Sequence, residues 1–146
     1  MKRISPSLWF NNQAEEATQF YCTVFKNSRI LSSNPMSVTF ELEGQQFIAL
    51  NGGPKFTFNK AVSFFVSCVT QEEIEYYWKS LTNSGGQEGR CGWLKDKYGL
   101  SWQIIPAALG KLMGDPNKEK PGRVIQAKLK MKKIMINDLQ MAYNGA

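Results

Sequence analysis

The stretch Cys91 to Pro106, CGWLKDKYGLSWQIIP, is the segment around which the rest of this chain is organised. It contains two short strand patterns joined by a Tyr98-Gly99 turn, and two of the chain's four tryptophans lie in it. Gln103 is a polar residue between apolar neighbours on the second strand, and a buried amide needs a hydrogen-bond partner. The hairpin is therefore the predicted wall of any ligand cavity in this protein.

The hairpin closes the second of two similar halves. The first half is predicted to contain a strand, a helix and three strands, in the order Ile4 to Phe10, a helix from Asn12, Arg29 to Ser32, Met36 to Glu43 and Gln46 to Leu50. Asn12 is the predicted N-cap of that helix, with Glu15 at the third helical position, which is an arrangement related to the capping box.

The second half repeats this order. Ser63 to Cys68 is a strand pattern, and Thr70 with Glu73 forms a capping box at the start of an amphipathic helix. The apolar helix positions of the two halves match at a constant offset of 57 residues, and the hairpin glycines Gly44 and Gly99 match at 55. Such a match predicts two tandem βαβββ modules, an α+β fold.

The remainder of the chain has helical patterns. Ala107 to Met113 is one, Pro121-Gly122 is predicted to open another over Arg123 to Met131, and a last short segment follows from Ile134. We expect a single domain over 1–146, with the first module at 4–51, the second at 62–106 and a helical extension at 107–146. The extension is interpreted as a cover or a dimer arm.

Composition excludes several classes of function. The chain of 146 residues has no histidine, which removes the commonest general base and the usual zinc or iron ligand. Its three cysteines are an odd number at wide spacing, typical of reduced thiols. No apolar run is long enough to cross a bilayer, and the start lacks the apolar core of a secretory signal, so we expect a cytoplasmic protein with no membrane partner.

The net charge of +6 is concentrated near the C-terminus. From Lys118 onward the chain has seven basic and two acidic residues, a net of +5. A basic tail raises the hypothesis of a nucleic-acid accessory protein. The chain has no helix-turn-helix, zinc-finger or RNA-recognition signature, and basic faces of terminal helices are usually solvated, so we expect no nucleic-acid partner.

A family resemblance covers nearly the whole chain. It is carried by five strings, LWFNNQAEEATQFYCTVFKNSRI, FELEGQQFIALNGGPKFTFN, SFFVSCVTQEEIEYYW, CGWLKDKYGLSWQIIP and RVIQAKLKMKKI. These closely resemble the PhnB-like branch of the vicinal oxygen chelate superfamily, which includes glyoxalases, bleomycin-resistance proteins and extradiol dioxygenases. The branch is often labelled "3-demethylubiquinone-9 3-methyltransferase domain". The resemblance implies that the modules form a curved mixed sheet around a cavity and that the protein pairs as a homodimer.

The resemblance also implies where a metal would be held. Metalloenzymes of the superfamily carry ligands on the first and last strands of each module. The matching positions here fall near Pro6 and Ser63, near Ile48 or Ala49, and at Gln103. Aliphatic side chains, a serine and one neutral amide are no ligand set for a first-row metal. We therefore expect a metal-free cavity and no cofactor.

Seven residues are candidates for contacting a small organic ligand: Gln103, Trp102, Trp93, Ser63, Phe65, Asn51 and Trp9. Each has a structural alternative, since aromatic residues are more often core, Asn51 suits a turn, and Gln103 or Ser63 can satisfy neighbouring groups. No catalytic residue can be nominated.

The predicted function is that of a small-molecule-binding protein. The first alternative is an enzyme of the same fold, either a metal-dependent lyase or dioxygenase or a methyltransferase acting on a small aromatic acceptor. The methyltransferase name lacks sequence support, because no glycine-rich turn leads from a strand into a helix with an acidic residue downstream.

The metal-free hypothesis can be tested directly on the purified protein. Elemental analysis is expected to find far less than one equivalent of any transition metal per chain, because the matching positions offer only neutral or aliphatic side chains. A near-stoichiometric metal content would contradict this prediction.

Overall fold

The computed structural model describes residues 2–145 of the chain. The chain divides into two compact units, Met1–Phe58 and Asn59–Ala146. The predicted first module falls in the first unit, and the predicted second module and helical extension fall in the second. Within residues 2–145, no helix has the length and apolar character needed to cross a membrane.

The first unit is one mixed four-stranded sheet with a helix packed on it. Its elements are β1 (Ser7–Phe10), α1 (Ala14–Val24), β2 (Ser28–Ser33), β3 (Ser37–Leu42) and β4 (Gln45–Asn51). The strand order is β1-β4-β3-β2, in which β1 is parallel to β4 and the other pairs are antiparallel. Tyr21 of α1 stacks on Phe40 of β3 with 6.3 Å between ring centroids, and both are buried in the core that the helix covers.

The second unit begins with the same arrangement. Its elements are β5 (Ser63–Cys68), α2 (Gln71–Thr82), β6 (Gln87–Glu88), β7 (Trp93–Lys95) and β8 (Ser101–Pro106). The order β5-β8-β7-β6 and the parallel β5–β8 pair correspond strand for strand to the first sheet. The helices start at Ala14 and Gln71, 57 residues apart. The predicted pair of βαβββ modules is confirmed, as two four-stranded sheets.

Three helices follow β8 and pack within the second unit. They are α3 (Ala107–Met113), α4 (Glu119–Leu129) and α5 (Ile136–Asn144), and they share a buried apolar cluster with the end of β8, formed by Ile105, Leu109, Val124, Ile134 and Leu139. Gln71 of α2 donates to the Ile134 carbonyl at 3.0 Å and accepts from the Ile136 amide at 2.9 Å. The last helix is therefore fastened directly to the second module.

The prediction that Pro121-Gly122 opens α4 was wrong, because α4 begins two residues earlier, at Glu119. Proline is tolerated in the first turn of a helix, where its missing N–H would have no intrahelical acceptor. The sequence therefore shows that this proline is near a helix start without showing on which side of it the helix begins.

The cap of α2 formed as predicted, with one difference of detail. Thr70 Oγ1 accepts from the Glu73 amide at 3.2 Å. The Glu73 carboxylate reaches back to the Val69 amide at 3.0 Å, one residue before the cap. Both bonds satisfy amide groups at or just before the helix start.

The prediction that Asn12 caps α1 was wrong. Asn12 has a left-handed backbone with φ of 58°, and the helix begins at Ala14 without a cap from its neighbouring side chains. The acceptor comes instead from the last strand of the module, since Asn51 Oδ1 accepts from the Ala14 amide at 2.9 Å. Asn51 Nδ2 donates to the Pro35 carbonyl at 3.1 Å, so one side chain ties the helix start to the β2–β3 connection.

Replacing Asn51 should destabilise the protein more than replacing Asn12. Asn51→Ala removes an acceptor at a helix start and a second bond, so we expect the free energy of unfolding to fall by about 1–2 kcal/mol in urea denaturation. Asn12→Gly is the matched control and should change it by a few tenths of a kcal/mol, because glycine adopts a positive φ without strain. A larger loss for Asn12→Gly than for Asn51→Ala would contradict the capping assignment.

Candidate functional site

The second sheet has two faces with different chemistry. Successive side chains of a strand point to opposite faces, and residues paired across strands share a face. Trp102, Ile104 and Leu94 lie on the face that packs against α2, and all three are buried. We call the other side the distal face. It carries predicted candidates from three adjacent strands.

Four of the seven candidates come together on the distal face. Gln103 is the register partner of Phe65 on one side and of Trp93 on the other, so the three form a row across β5, β8 and β7. Gln103 Nε2 donates to Ser63 Oγ at 3.0 Å. At a strand spacing of about 4.8 Å, the row spans about 10 Å, with an amide between two aromatic rings.

The distal face is accessible at its outer strand. Phe65 is 61% exposed, while Ser63, Trp93 and Gln103 are half-buried. A single exposed apolar side chain is common on protein surfaces, so Phe65 is informative only together with Trp93 and Gln103 in the same row. The row therefore has the composition of a binding surface.

Trp102 lies on the opposite face of the sheet from this row. It is 3% exposed and packs edge to face on Phe64 with 5.5 Å between ring centroids. Its indole Nε1 donates to Asp96 Oδ2 at 2.9 Å. Trp102 is therefore placed as a core residue, which is the structural alternative to ligand contact, because its indole nitrogen and its ring both have partners within the core.

Asp96 is the residue that sequence reasoning missed. It is buried at 2% exposure in the turn of the hairpin, where Oδ1 accepts from the amides of Tyr98 at 2.9 Å and Leu100 at 3.1 Å while Oδ2 accepts from Trp102. An aspartate three residues before a glycine at a hairpin turn is a recognisable signal, since Asp side chains bond backbone amides two residues on. Asp96 therefore sets the register that places Gln103 on the distal face.

The remaining two candidates, Trp9 and Asn51, lie in the first unit. Trp9 donates from its indole to the Gly53 carbonyl at 2.9 Å and packs edge to face on Phe56. Gly52 lies directly against the ring, because a Cβ at that position would be 2.3 Å from Trp9 Cε2. Trp9 thus holds the loop after β4, and Asn51 holds the start of α1 as described above.

A second glutamine–serine pair was also missed. Gln46 of β4 lies on the face of the first sheet away from α1, and its Nε2 donates to Ser5 Oγ at 2.9 Å. Each sheet therefore carries one such pair on the face opposite its helix. Gln46 is 5% exposed, so its amide is enclosed to a greater degree than that of Gln103.

The donors of the distal face do not fit a transition metal. Ser63 and Gln103, which occupy positions matching superfamily ligands, are neutral and already bonded to each other. Across residues 2–145, no group of three histidine, cysteine, aspartate or glutamate side chains could hold a metal ion. Transition metals favour imidazole, thiolate or carboxylate ligands over neutral hydroxyl and amide oxygens.

The thiol in the second sheet is not a nucleophile at neutral pH. Burial raises the pKa of the Cys68 thiol to about 12, and the nearby Glu73 carboxylate acts in the same direction. The thiolate is the reactive form of cysteine, so Cys68 is a core residue.

The comparisons with known proteins support one family. The model of the family described as 3-demethylubiquinone-9 3-methyltransferase matches residues 2–105. No curated protein matches the chain. A PhnB protein from Bacillus cereus is 34% identical over 73% of this chain and all of its own, with a TM-score of 0.66.

More distant solved structures share the fold. The fosfomycin resistance protein FosX from Listeria monocytogenes is 13% identical, with a TM-score of 0.59 over 76% of this chain and 97% of its own. A glyoxalase/bleomycin resistance protein from Albidiferax ferrireducens T118 is 14% identical, with a TM-score of 0.52 over 72% of this chain and 98% of its own.

Removing the Asp96 carboxylate should destabilise the hairpin. Asp96→Ala leaves two backbone amides and an indole N–H without their acceptor in a buried turn, so we expect the free energy of unfolding to fall by about 3 kcal/mol or more. Asp96→Asn should cost less, because an amide oxygen can still accept from Tyr98 and Leu100. Chemical denaturation of both variants measures the difference. An Asp96→Ala loss below about 0.5 kcal/mol would contradict the role assigned to Asp96.

Proposed function

The chain belongs to the PhnB-like family, whose model is named 3-demethylubiquinone-9 3-methyltransferase, and it has the vicinal oxygen chelate fold. We propose that it binds a small planar organic ligand on the distal face of the second sheet. In this proposal, Trp93 and Phe65 contact the faces or edges of the ligand, and Gln103 and Ser63 hydrogen-bond it.

The row Phe65–Gln103–Trp93 is the observation that carries the proposal. It brings residues from three strands together, and the Gln103 amide oxygen has no hydrogen bond within residues 2–145. Aromatic side chains supply large contact areas, and the hydrogen bonds of an amide between them can fix the orientation of a ligand. The same row offers no nucleophile and no ionisable general base, so it supports binding and gives no support to a particular reaction.

The enzymatic alternative rests on the family name. Methyl transfer would need a binding site for a methyl donor, and the neutral side chains of this row do not indicate such a site. Metal-dependent lyase or dioxygenase chemistry would need ligands that Ser63 and Gln103 do not supply. Binding without catalysis is therefore the function that these residues support best.

The proposal includes a cytoplasmic homodimer. The pairing is supported by the apolar surface at and beside β5, where Val62 is 62% exposed and Phe65 is 61% exposed. Exposed apolar side chains of this size are stabilised when a ligand or a second protein surface covers them.

Substitution of Gln103 should weaken ligand binding without unfolding the protein. A set of small aromatic compounds is titrated into ¹⁵N-labelled protein, and we expect the resonances of Gln103, Ser63 and the Trp93 indole to shift together. Gln103→Ala should then raise the Kd about tenfold, because one directional hydrogen bond is worth about 1.4 kcal/mol. Gln140→Ala, at an exposed glutamine of α5, is the matched control and should leave Kd unchanged.

Two results would contradict the proposal. One is that every compound that binds shifts resonances only outside the distal face, for example in α4 and α5. The other is that Gln103→Ala, while remaining folded, binds as tightly as the unmodified protein.

A further inference from the structure

A small cavity lies beside the row on the second sheet. It has a volume of about 90 Å³, and its lining includes Lys60, Gln87, Glu88, Trp93, Lys95 and Ser101. A space of this size holds several water molecules or one carboxylate-sized group. Because Trp93 belongs to both, the cavity adjoins the row.

Ser101 is the unusual residue of this cavity. Its side chain is fully buried at 0% exposure, and its Oγ has no hydrogen-bond partner within residues 2–145. A buried hydroxyl without a partner is costly, so native proteins seldom keep one. Because Ser101 also lines the cavity, a water molecule or a ligand group there could supply the missing partner.

A second hydroxyl lies next to Ser101. Ser63 is its register partner across β5 and β8, and Ser63 Oγ accepts a hydrogen bond from Gln103. Accepting that bond leaves the Ser63 hydroxyl proton available for donation, since no acceptor for it occurs within residues 2–145. A ligand group that reaches Ser101 would therefore lie next to a second hydroxyl whose proton is not used within residues 2–145.

The charges around the cavity have one predominant sign. Lys95 pairs with Ser101 across β7 and β8, and Lys60 lies three residues before β5. Neither lysine forms an ion pair with a carboxylate in the part of the chain that the structure describes. The one carboxylate in the lining, Glu88, accepts from the Trp78 indole at 2.6 Å. Two ammonium groups and the Ser101 hydroxyl of the lining thus remain for a ligand.

We infer that this cavity binds the oxyanion head group of a small organic acid whose planar part lies along the row Phe65–Gln103–Trp93. Lys60 and Lys95 provide charge, and Ser101 donates the hydrogen bond that it otherwise lacks. Charge-assisted bonds are stronger than neutral ones, so an acid should bind more tightly than a neutral compound of the same shape. This inference rests on the proposed function, because it names the ligand class of the same site.

The test compares acids with a neutral compound of matched shape. Benzoate, phenylphosphonate and benzamide are titrated separately into the full ¹⁵N-labelled chain at constant ionic strength, because salt screens charge interactions. We expect at least one of the two acids to bind about tenfold more tightly than benzamide and to shift the Ser101 amide and the Trp93 indole. Whether benzoate or phenylphosphonate binds more tightly distinguishes a carboxylate from a phosphoryl head group.

Three variants separate the contributions. Lys95→Met and Ser101→Ala should each remove most of the preference for the acid over benzamide, while Lys111→Met, at an exposed lysine of α3, should leave the preference unchanged. Ser101→Ala should not lower the melting temperature of the ligand-free protein, because it removes a hydroxyl that has no partner there. That result keeps a loss of binding distinct from a loss of folding.

The outcomes that overturn the inference differ from those that overturn the proposed function. If benzamide binds as tightly as both acids and shifts Gln103 and Trp93, the oxyanion site is refuted and the proposed binding face stands. If the acids are preferred but Lys95→Met and Ser101→Ala keep the preference, the cavity is not their site. If none of the three compounds shifts resonances of the distal face, both the oxyanion site and the proposed binding of small aromatic compounds at that face are refuted.

Discussion

The second half of this protein depends on one buried carboxylate. Asp96 accepts hydrogen bonds from two backbone amides of the turn and from the Trp102 indole, so it fixes the turn and the strand that follows at the same time. Side chains alternate between the two faces of a strand, so a slip of one residue in the pairing would exchange the two faces of β8. Asp96 thereby decides that Trp102 enters the core and that Ser101 and Gln103 lie on the distal face.

The two modules use the same topology for different surfaces. Both sheets have the same strand order and both bury aromatic and aliphatic side chains beneath their helix. The faces away from the helices differ, because the first sheet encloses its glutamine–serine pair while the second keeps Gln103 between Trp93 and Phe65. The two modules are therefore alike on the sides that face their helices and differ on the opposite faces, and the proposed binding uses the opposite face of the second module.

The sequence predicted the elements better than their local partners. Apolar spacing and the 57-residue offset gave both βαβββ modules, because each module must bury one face of its sheet beneath its helix. Local capping rules placed the cap of α1 at Asn12, whereas the acceptor for the Ala14 amide comes from Asn51, 37 residues after Ala14. The capping rules could not identify Asn51, because Asn51 comes close to Ala14 only after β4 has paired with β1. Trp102 and Trp93 also look alike in sequence, because they lie on different strands and only the observed register shows that they are on opposite faces.

What the sequence by itself determined is the pattern: two modules, their order of strands and helices, the family, and a short set of polar and aromatic residues without histidine. What the tertiary structure decided is which of these residues meet. Gln103 and Ser63 are 40 residues apart and form a hydrogen bond only because β5 and β8 are parallel neighbours. Burial of Ser101 without a partner is likewise a property of packing, because composition and periodicity carry no record of the space left beside a side chain.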